Sequence, residues 1–175
     1  FVVGHVGRLH PQKNHDFLID VFAELKKKKP DAELILVGTG PLEEKVKSKV
    51  VEKGLSDCVH FLGNRKDMNR IYQAMDVFVF PSLFEGLGIV AIEAQAAGVP
   101  IVCSEGLPPE TDITPIYRKL LLSDGAEKWA NAALEMAQNL KAHTNMQQYV
   151  IDAGFDMDAT AKYMKSYYLN RWRTA

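Results

Sequence analysis

Six short runs of almost unbroken apolar residues, spaced by helix-length stretches, constrain this chain more than any other feature. They are Phe1 to Val6, Ala32 to Val37, Val59 to Leu62, Val77 to Phe80, Pro100 to Cys103 and Tyr117 to Leu122. Val, Ile, Leu and Phe dominate without a polar alternation, so each strand is expected to be covered on both faces. The intervening stretches read as helices that supply the cover. Asp16 to Lys29 places Phe17, Leu18, Val21, Phe22 and Leu25 at three- and four-residue spacing, and Pro30 closes it. Pro41 to Lys53 puts a proline in the first turn and stops at Gly54. Lys66 to Met75 has Asp67 as its cap, Leu87 to Ala97 is rich in alanine, and Asp124 to Leu140 carries Trp129, Ala133, Leu134 and Ala137 on one side. Alternating strands and helices with right-handed crossovers predict an α/β fold, a doubly wound, Rossmann-like parallel sheet of about six strands. A helical carboxyl-terminal extension follows Leu122, with breaks near Thr144 and Gly154.

The whole length, 1–175, reads as a single domain. Its 21 Lys and Arg against 22 Asp and Glu leave a net charge of −1, which argues against bulk attraction to nucleic acid or to an anionic membrane. Cys58 and Cys103 match no zinc spacing and sit in apolar runs, so both are expected to be buried thiols in a reducing compartment. His5 and His60, also in apolar runs, are expected in the core. Tyr163, Tyr167, Tyr168 and Trp172 recur at helical spacing, a pattern of packing or of contact with a further domain. The first residues enter a strand directly and without an initiator Met, so the chain is expected to be part of a longer protein.

Sheets of this kind bind ligands at the carboxyl ends of their strands. After the first strand, Gly7 offers close backbone approach, and Arg8 and Lys13 flank a helix start that suits a diphosphate. By spacing alone they are equally a pair of surface cations. After the second strand, Gly38-Thr39-Gly40 lacks the third glycine of a dinucleotide fingerprint and reads as a tight turn beside a ligand. After the fourth, Glu85 lies in a turn with Gly86, Leu87 and Gly88, and Glu93 lies eight residues on, within an apolar helix. A carboxylate among apolar neighbours is costly unless a partner satisfies it, and sugar or ribose hydroxyls are suitable partners.

Taken in order, Val6-Gly7-Arg8-Leu9 with Lys13, Leu36 to Pro41, Phe61 to Arg65, Asp76 to Ser82, and Glu85-Gly86-Leu87-Gly88 through Glu93-Ala94 resemble the carboxyl-terminal, donor-binding domain of the retaining family four glycosyltransferases. The resemblance implies one half of a GT-B fold and a UDP- or GDP-sugar as substrate, with no cofactor and no metal. It implies that Arg8 and Lys13 bind the donor diphosphate and stabilise the leaving nucleotide, and that Glu85 contacts the donor sugar. Gly86, Leu87 and Gly88 would hold sugar hydroxyls and phosphate, Glu93 the ribose hydroxyls, and Asn64 and Arg65 would flank the base. His10 and His15, near the diphosphate loop, are candidates to assist it. The segment from Ser104 to Asp112 departs from the glycine-rich turn common in the family, with one glycine, Gly106, and three carboxylates. The resemblance further implies a missing amino-terminal acceptor domain, through which the protein would meet the membrane. It places the protein in the cytoplasm, at or near the inner membrane face. A non-catalytic nucleotide-binding module, or an epimerase or phosphorylase of the same fold, is the alternative.

Overall fold

A computed structural model describes residues 1–139 and 143–173. Its centre is a six-stranded parallel sheet, β1 (Val2–Val6), β2 (Glu33–Val37), β3 (Val59–Phe61), β4 (Val77–Phe80), β5 (Ile101–Ser104) and β6 (Tyr117–Leu120), in the order β3-β2-β1-β4-β5-β6. This is the doubly wound, Rossmann-like half-fold expected of a GT-B protein. The order reverses between β1 and β4, so the loops leaving these two strands diverge and open a crevice.

The helices are α1 (His15–Lys28), α2 (Glu43–Glu52), α3 (Met68–Tyr72), α4 (Ile89–Ala96), α5 (Ala126–Asn139), α6 (Gln147–Asp152) and α7 (Met157–Arg173). The expected end of α5 at Leu140 falls outside the described residues. Side chains of β4 alternate between two cores. Val77 and Val79 join a cluster with Leu18, Phe22 and Trp129 beneath α1 and α5, while Phe78 and Phe80 join Tyr72, Ala91 and Ala94 beneath α3 and α4. Phe17 and Trp129 lock α1 to α5 edge to face, with ring centroids 5.4 Å apart.

Cover on both faces holds for the central strands β4 and β5, all of whose residues are buried. It fails at the edges: His60 on β3 is exposed and meets Glu33 at 2.7 Å, because β3 has one neighbour and its outer side faces water. The expected core role of His60 is therefore corrected, whereas His5 and both cysteines are buried. Pro41 precedes the helix instead of entering its first turn, since Pro41-Leu42 form a turn and α2 starts at Glu43. Asp67 precedes α3 without capping it through its side chain, which is engaged by Arg65. On α7, Tyr163, Tyr168 and Trp172 are exposed by 67%, 62% and 86%, so the aromatic stripe does not pack into either core.

Candidate functional site

The crevice at the sheet reversal is built by three loops that hold one another. The segment after β1 continues through a short 3-10 turn, Pro11–Lys13, and Asn14 in the left-handed region turns the chain into α1. The segment after β4, Pro81 to Gly88, ends at Gly88 (φ 72°), the residue that starts α4. The backbone N–H of Leu83 donates to Gln12 O at 2.8 Å, and that of Glu85 donates to Gly106 O at 2.9 Å. The turn bearing Glu85 is thus gripped from the β1 side and from the β5 side at once. A side chain at Gly106 would place its Cβ 2.4 Å from Leu83 O, which explains the lone glycine of that loop.

Lys13 and Glu85, 72 positions apart, meet across the reversal: Nζ donates to Oε1 at 2.6 Å, with the two side chains only 15% and 7% exposed. The ammonium also lies 4.7 Å from the centre of the Phe80 ring, a cation–π distance. Gly7 makes room for it, since a Cβ there would come within 3.1 Å of the Lys13 stem. Gln12 adds two bonds from its carboxamide, to Phe84 O at 2.9 Å and to Glu85 Oε2 at 3.3 Å.

Beside this pair lies a cleft of about 480 Å³, lined by Gly7, Arg8, Thr39, Asn64, Val90 and Glu93 among others. Arg8 is exposed, and its side chain has no partner among the described residues. Glu93 is exposed on α4 and accepts a hydrogen bond from Tyr72 Oη at 2.8 Å. Burial and the neighbouring carboxylate push the Tyr72 phenol well above its usual range, so it stays a donor. Asn64 accepts a long bond from Thr39 Oγ1, 3.4 Å, and Arg65 is turned towards Asp67, which it holds through Nε and one terminal nitrogen at 2.8 and 2.7 Å. This ion pair lowers the Asp67 carboxyl to about 2.

The expected residues therefore gather in two adjoining groups. Lys13, Glu85 and Gly88 stand on one side, and Gly7, Arg8, Asn64, Arg65 and Glu93 line the other, with Gly86 and Leu87 exposed in the turn between β4 and α4. The Gly38-Thr39-Gly40 turn lines the cleft through Gly38 and Thr39, and its glycines also serve the protein's own backbone: a Cβ at Gly38 would fall 2.1 Å from Gly7 O, and one at Gly40 2.4 Å from Leu9 O. One expectation changes. His15 points away from the crevice into the interior, 2% exposed, with its ring 4.7 Å from that of His5. The segment Ser104 to Asp112 lies behind the Glu85 turn as a brace. Its Glu105 accepts from Leu122 N, and Thr111 O and Thr114 are tied to α4 by buried Gln95. Gln12, Tyr72 and Gln95 were not singled out by the sequence; their only local signal was a polar side chain beside a charged or apolar neighbour. Among the described residues no group of three or more His, Cys, Asp or Glu is gathered as for a metal, and no helix is long and apolar enough to cross a membrane.

The family profile of glycosyl transferases group 1 matches residues 1–139. The chain belongs to that family. Among group 1 relatives, EpsF of Bacillus subtilis, provisionally named a glycosyltransferase, is 36% identical over 78% of this chain and 36% of its own length. A D-inositol 3-phosphate glycosyltransferase of Corynebacterium jeikeium is 33% identical over 95% of this chain and 43% of its own. Of solved structures, the sucrose-phosphate synthase of Thermosynechococcus elongatus superposes with a TM-score of 0.82 at 25% identity, covering 99% of this chain and 46% of that one. The chain thus spans between about a third and a half of the length of these similar proteins.

Proposed function

We propose that this chain is the donor-binding half of a retaining glycosyltransferase, taking a UDP- or GDP-sugar in the crevice between the β1 and β4 loops. The observation that carries the proposal is the meeting of Lys13 and Glu85 at the sheet reversal, with Arg8 and Glu93 lining the adjoining cleft. In this assignment the diphosphate lies between Arg8 and Lys13, the ribose hydroxyls reach Glu93, and the sugar lies over Gly86 to Gly88 against Glu85. Asn64 and Arg65 border the base. Transfer breaks the bond from the anomeric carbon to the β-phosphate oxygen and forms one to the acceptor oxygen, whose proton passes to the departing diphosphate or to solvent. Negative charge then grows on the diphosphate, where fixed cations lower the barrier most because they need no reorganisation. Arg8 and Lys13 supply them without calling on a metal.

Two relatives support a nucleotide-sugar donor without fixing its base. A GDP-mannose-dependent mannosyltransferase of Corynebacterium glutamicum is 33% identical over 77% of this chain. HepE of Anabaena, solved with UDP-glucose, superposes with a TM-score of 0.76 at 25% identity. The acceptor, saccharide or lipid-linked, would be held by a further domain outside this chain, on the cytoplasmic side of the membrane. Calorimetry of the chain with UDP, GDP, UDP-glucose and GDP-mannose tests the proposal. At least one of the four should bind, and Lys13→Ala should weaken it by roughly tenfold or more, the scale of a lost charge-assisted contact. Absence of binding to all four by a chain with a native circular dichroism spectrum would sink it.

A further inference from the structure

Glu85 is held by more than its lysine. Gln12 touches the Glu85 turn at three points: its backbone carbonyl accepts from Leu83 N at 2.8 Å, and its carboxamide donates to Phe84 O at 2.9 Å and to Glu85 Oε2 at 3.3 Å. The neighbouring Lys13 takes the other oxygen, Oε1. Adjacent positions on one 3-10 turn therefore hold the two oxygens of one carboxylate, and so fix the rotation of its plane. A carboxylate held by one ion pair alone can swing about that contact, whereas one held at both oxygens presents its remaining lone pairs in a fixed direction. The turn it sits on has exposed Leu83 and Phe84, so apolar burial does little to hold it, and the Gln12 bonds carry more of that task.

We propose that Gln12 is a positioning residue for donor-sugar recognition: it fixes the plane of Glu85 and the height of the Phe84-Glu85 turn, and so sets how strongly the sugar, as distinct from the nucleotide, is held. The inference rests on the donor assignment of Glu85 given above. It predicts a split that general loosening of the fold would not produce. The nucleoside diphosphate is assigned to Arg8, Lys13 and Glu93, to whose side chains the Gln12 carboxamide makes no bond, while the sugar is assigned to Glu85, to which it makes one.

The test measures binding of UDP, GDP, UDP-glucose, UDP-N-acetylglucosamine and GDP-mannose to the wild-type chain, to Gln12→Ala and to Gln12→Glu. The readout is the affinity for the tightest-binding nucleotide sugar divided by that for its own nucleoside diphosphate. Gln12→Ala should lower this ratio by about five- to tenfold while the nucleoside diphosphate keeps its affinity within about twofold, a loss of the size of one or two side-chain hydrogen bonds. Gln12→Glu keeps the length of the side chain but replaces its donor with an acceptor facing Glu85, so its ratio should fall at least as far as that of Gln12→Ala, which loss of packing alone would not produce. An equal loss for sugar and diphosphate, or an unchanged ratio in Gln12→Ala or in Gln12→Glu, would overturn the positioning role. A wild-type chain that binds none of the five probes would instead refute the donor assignment on which it rests.

Discussion

Acidification is expected to destabilise this fold from inside, through two histidines that lie beneath the candidate site. His5 and His15 are 0% and 2% exposed, their rings are 4.7 Å apart, and each has one ring nitrogen without a partner. Burial holds His15 down from 6.5 to about 4, helped by the charge of Lys13; burial, then His15, depresses His5 well below its usual range. Both are neutral in the folded chain at pH 7, and in the unfolded chain they take up protons near 6.5. Their stabilising neutrality is thus fully present above about pH 6.5 and is lost as pH falls towards the folded value of about 4. At about pH 5 the unfolded His15 lies about 1.5 units below its own midpoint, which costs the native state about 2 kcal/mol at 1.36 kcal/mol per unit. His5 acts in the same direction. Urea unfolding at pH 7, 6 and 5 should therefore show a fall of at least about 2 kcal/mol, large against the 5–15 kcal/mol typical of a domain. The depressed carboxylates act mainly below the window: Asp20, Asp31, Asp67 and Asp124 are lowered from 3.8, and Glu127 and Glu135 from 4.5. His15→Phe keeps an aromatic ring against His5 and removes one titrating group, so it should roughly halve the slope. A wild-type stability flat to within about 0.5 kcal/mol between pH 7 and 5, or a slope untouched by His15→Phe, would refute the reasoning.

Three further outcomes are expected. Gly38→Ala should cost on the order of 2–4 kcal/mol in urea unfolding, because φ is +129° and the new Cβ meets Gly7 O at 2.1 Å; Gly54→Ala, at φ +68° with open space around it, should cost only about 1–2 kcal/mol, and equal losses would contradict the close approach. Glu93→Gln should weaken nucleoside diphosphate binding by roughly tenfold while leaving inorganic pyrophosphate, which has no ribose, unchanged in competition. Gln95→Leu removes the buried partner of Thr111 O, Thr114 N and Thr114 Oγ1; it should cost about 2–4 kcal/mol and speed hydrogen exchange at Thr114, and protection equal to wild type would count against the brace.

What the sequence disclosed and what it hid divide along a physical line. Hydrophobic period is local, so all six strands and the interiors of the long helices were legible to within a residue or two. Sheet order is not local. Nothing in Val59-His60-Phe61 says that β3 is an edge, so His60 looked like core, and nothing in the Gly38 to Gly40 turn says whether a ligand or Leu9 approaches it. The candidate site residues were picked out by resemblance more than by chemistry. Arg8, Lys13, Glu85 and Glu93 do converge, yet the direct Lys13–Glu85 contact, the Tyr72 hydroxyl on Glu93 and the Gln12 carboxamide depend on loops brought together by the reversal. The aromatic stripe of α7 shows the same limit: helical spacing predicts a face, not what covers it, and the structure leaves this face outside both cores.

If the crevice takes a diphosphate as proposed, the pairing of Lys13 with Glu85 says why such a site need not be strongly basic. A lysine 15% exposed and seated over an aromatic ring would be costly to keep charged without a counterion, and Glu85 at 2.6 Å supplies one. Arg8 and Lys13 against Glu85 and Glu93 then sum to zero, and Arg65 is cancelled by Asp67, so the crevice adds nothing to a chain whose net charge is −1. Attraction for an anion must come from where the charges sit, not from their total. The cations stand at the reversal, Lys13 beside the start of α1, while Glu93 lies on the body of α4 and lines the same cleft as the exposed Arg8. A ligand that is anionic at its middle and hydroxylated at its two ends matches that order of charges, and a simple polyanion does not. Neutrality of the set costs attraction at a distance, which falls off within about 10 Å in salt anyway, and keeps discrimination at contact.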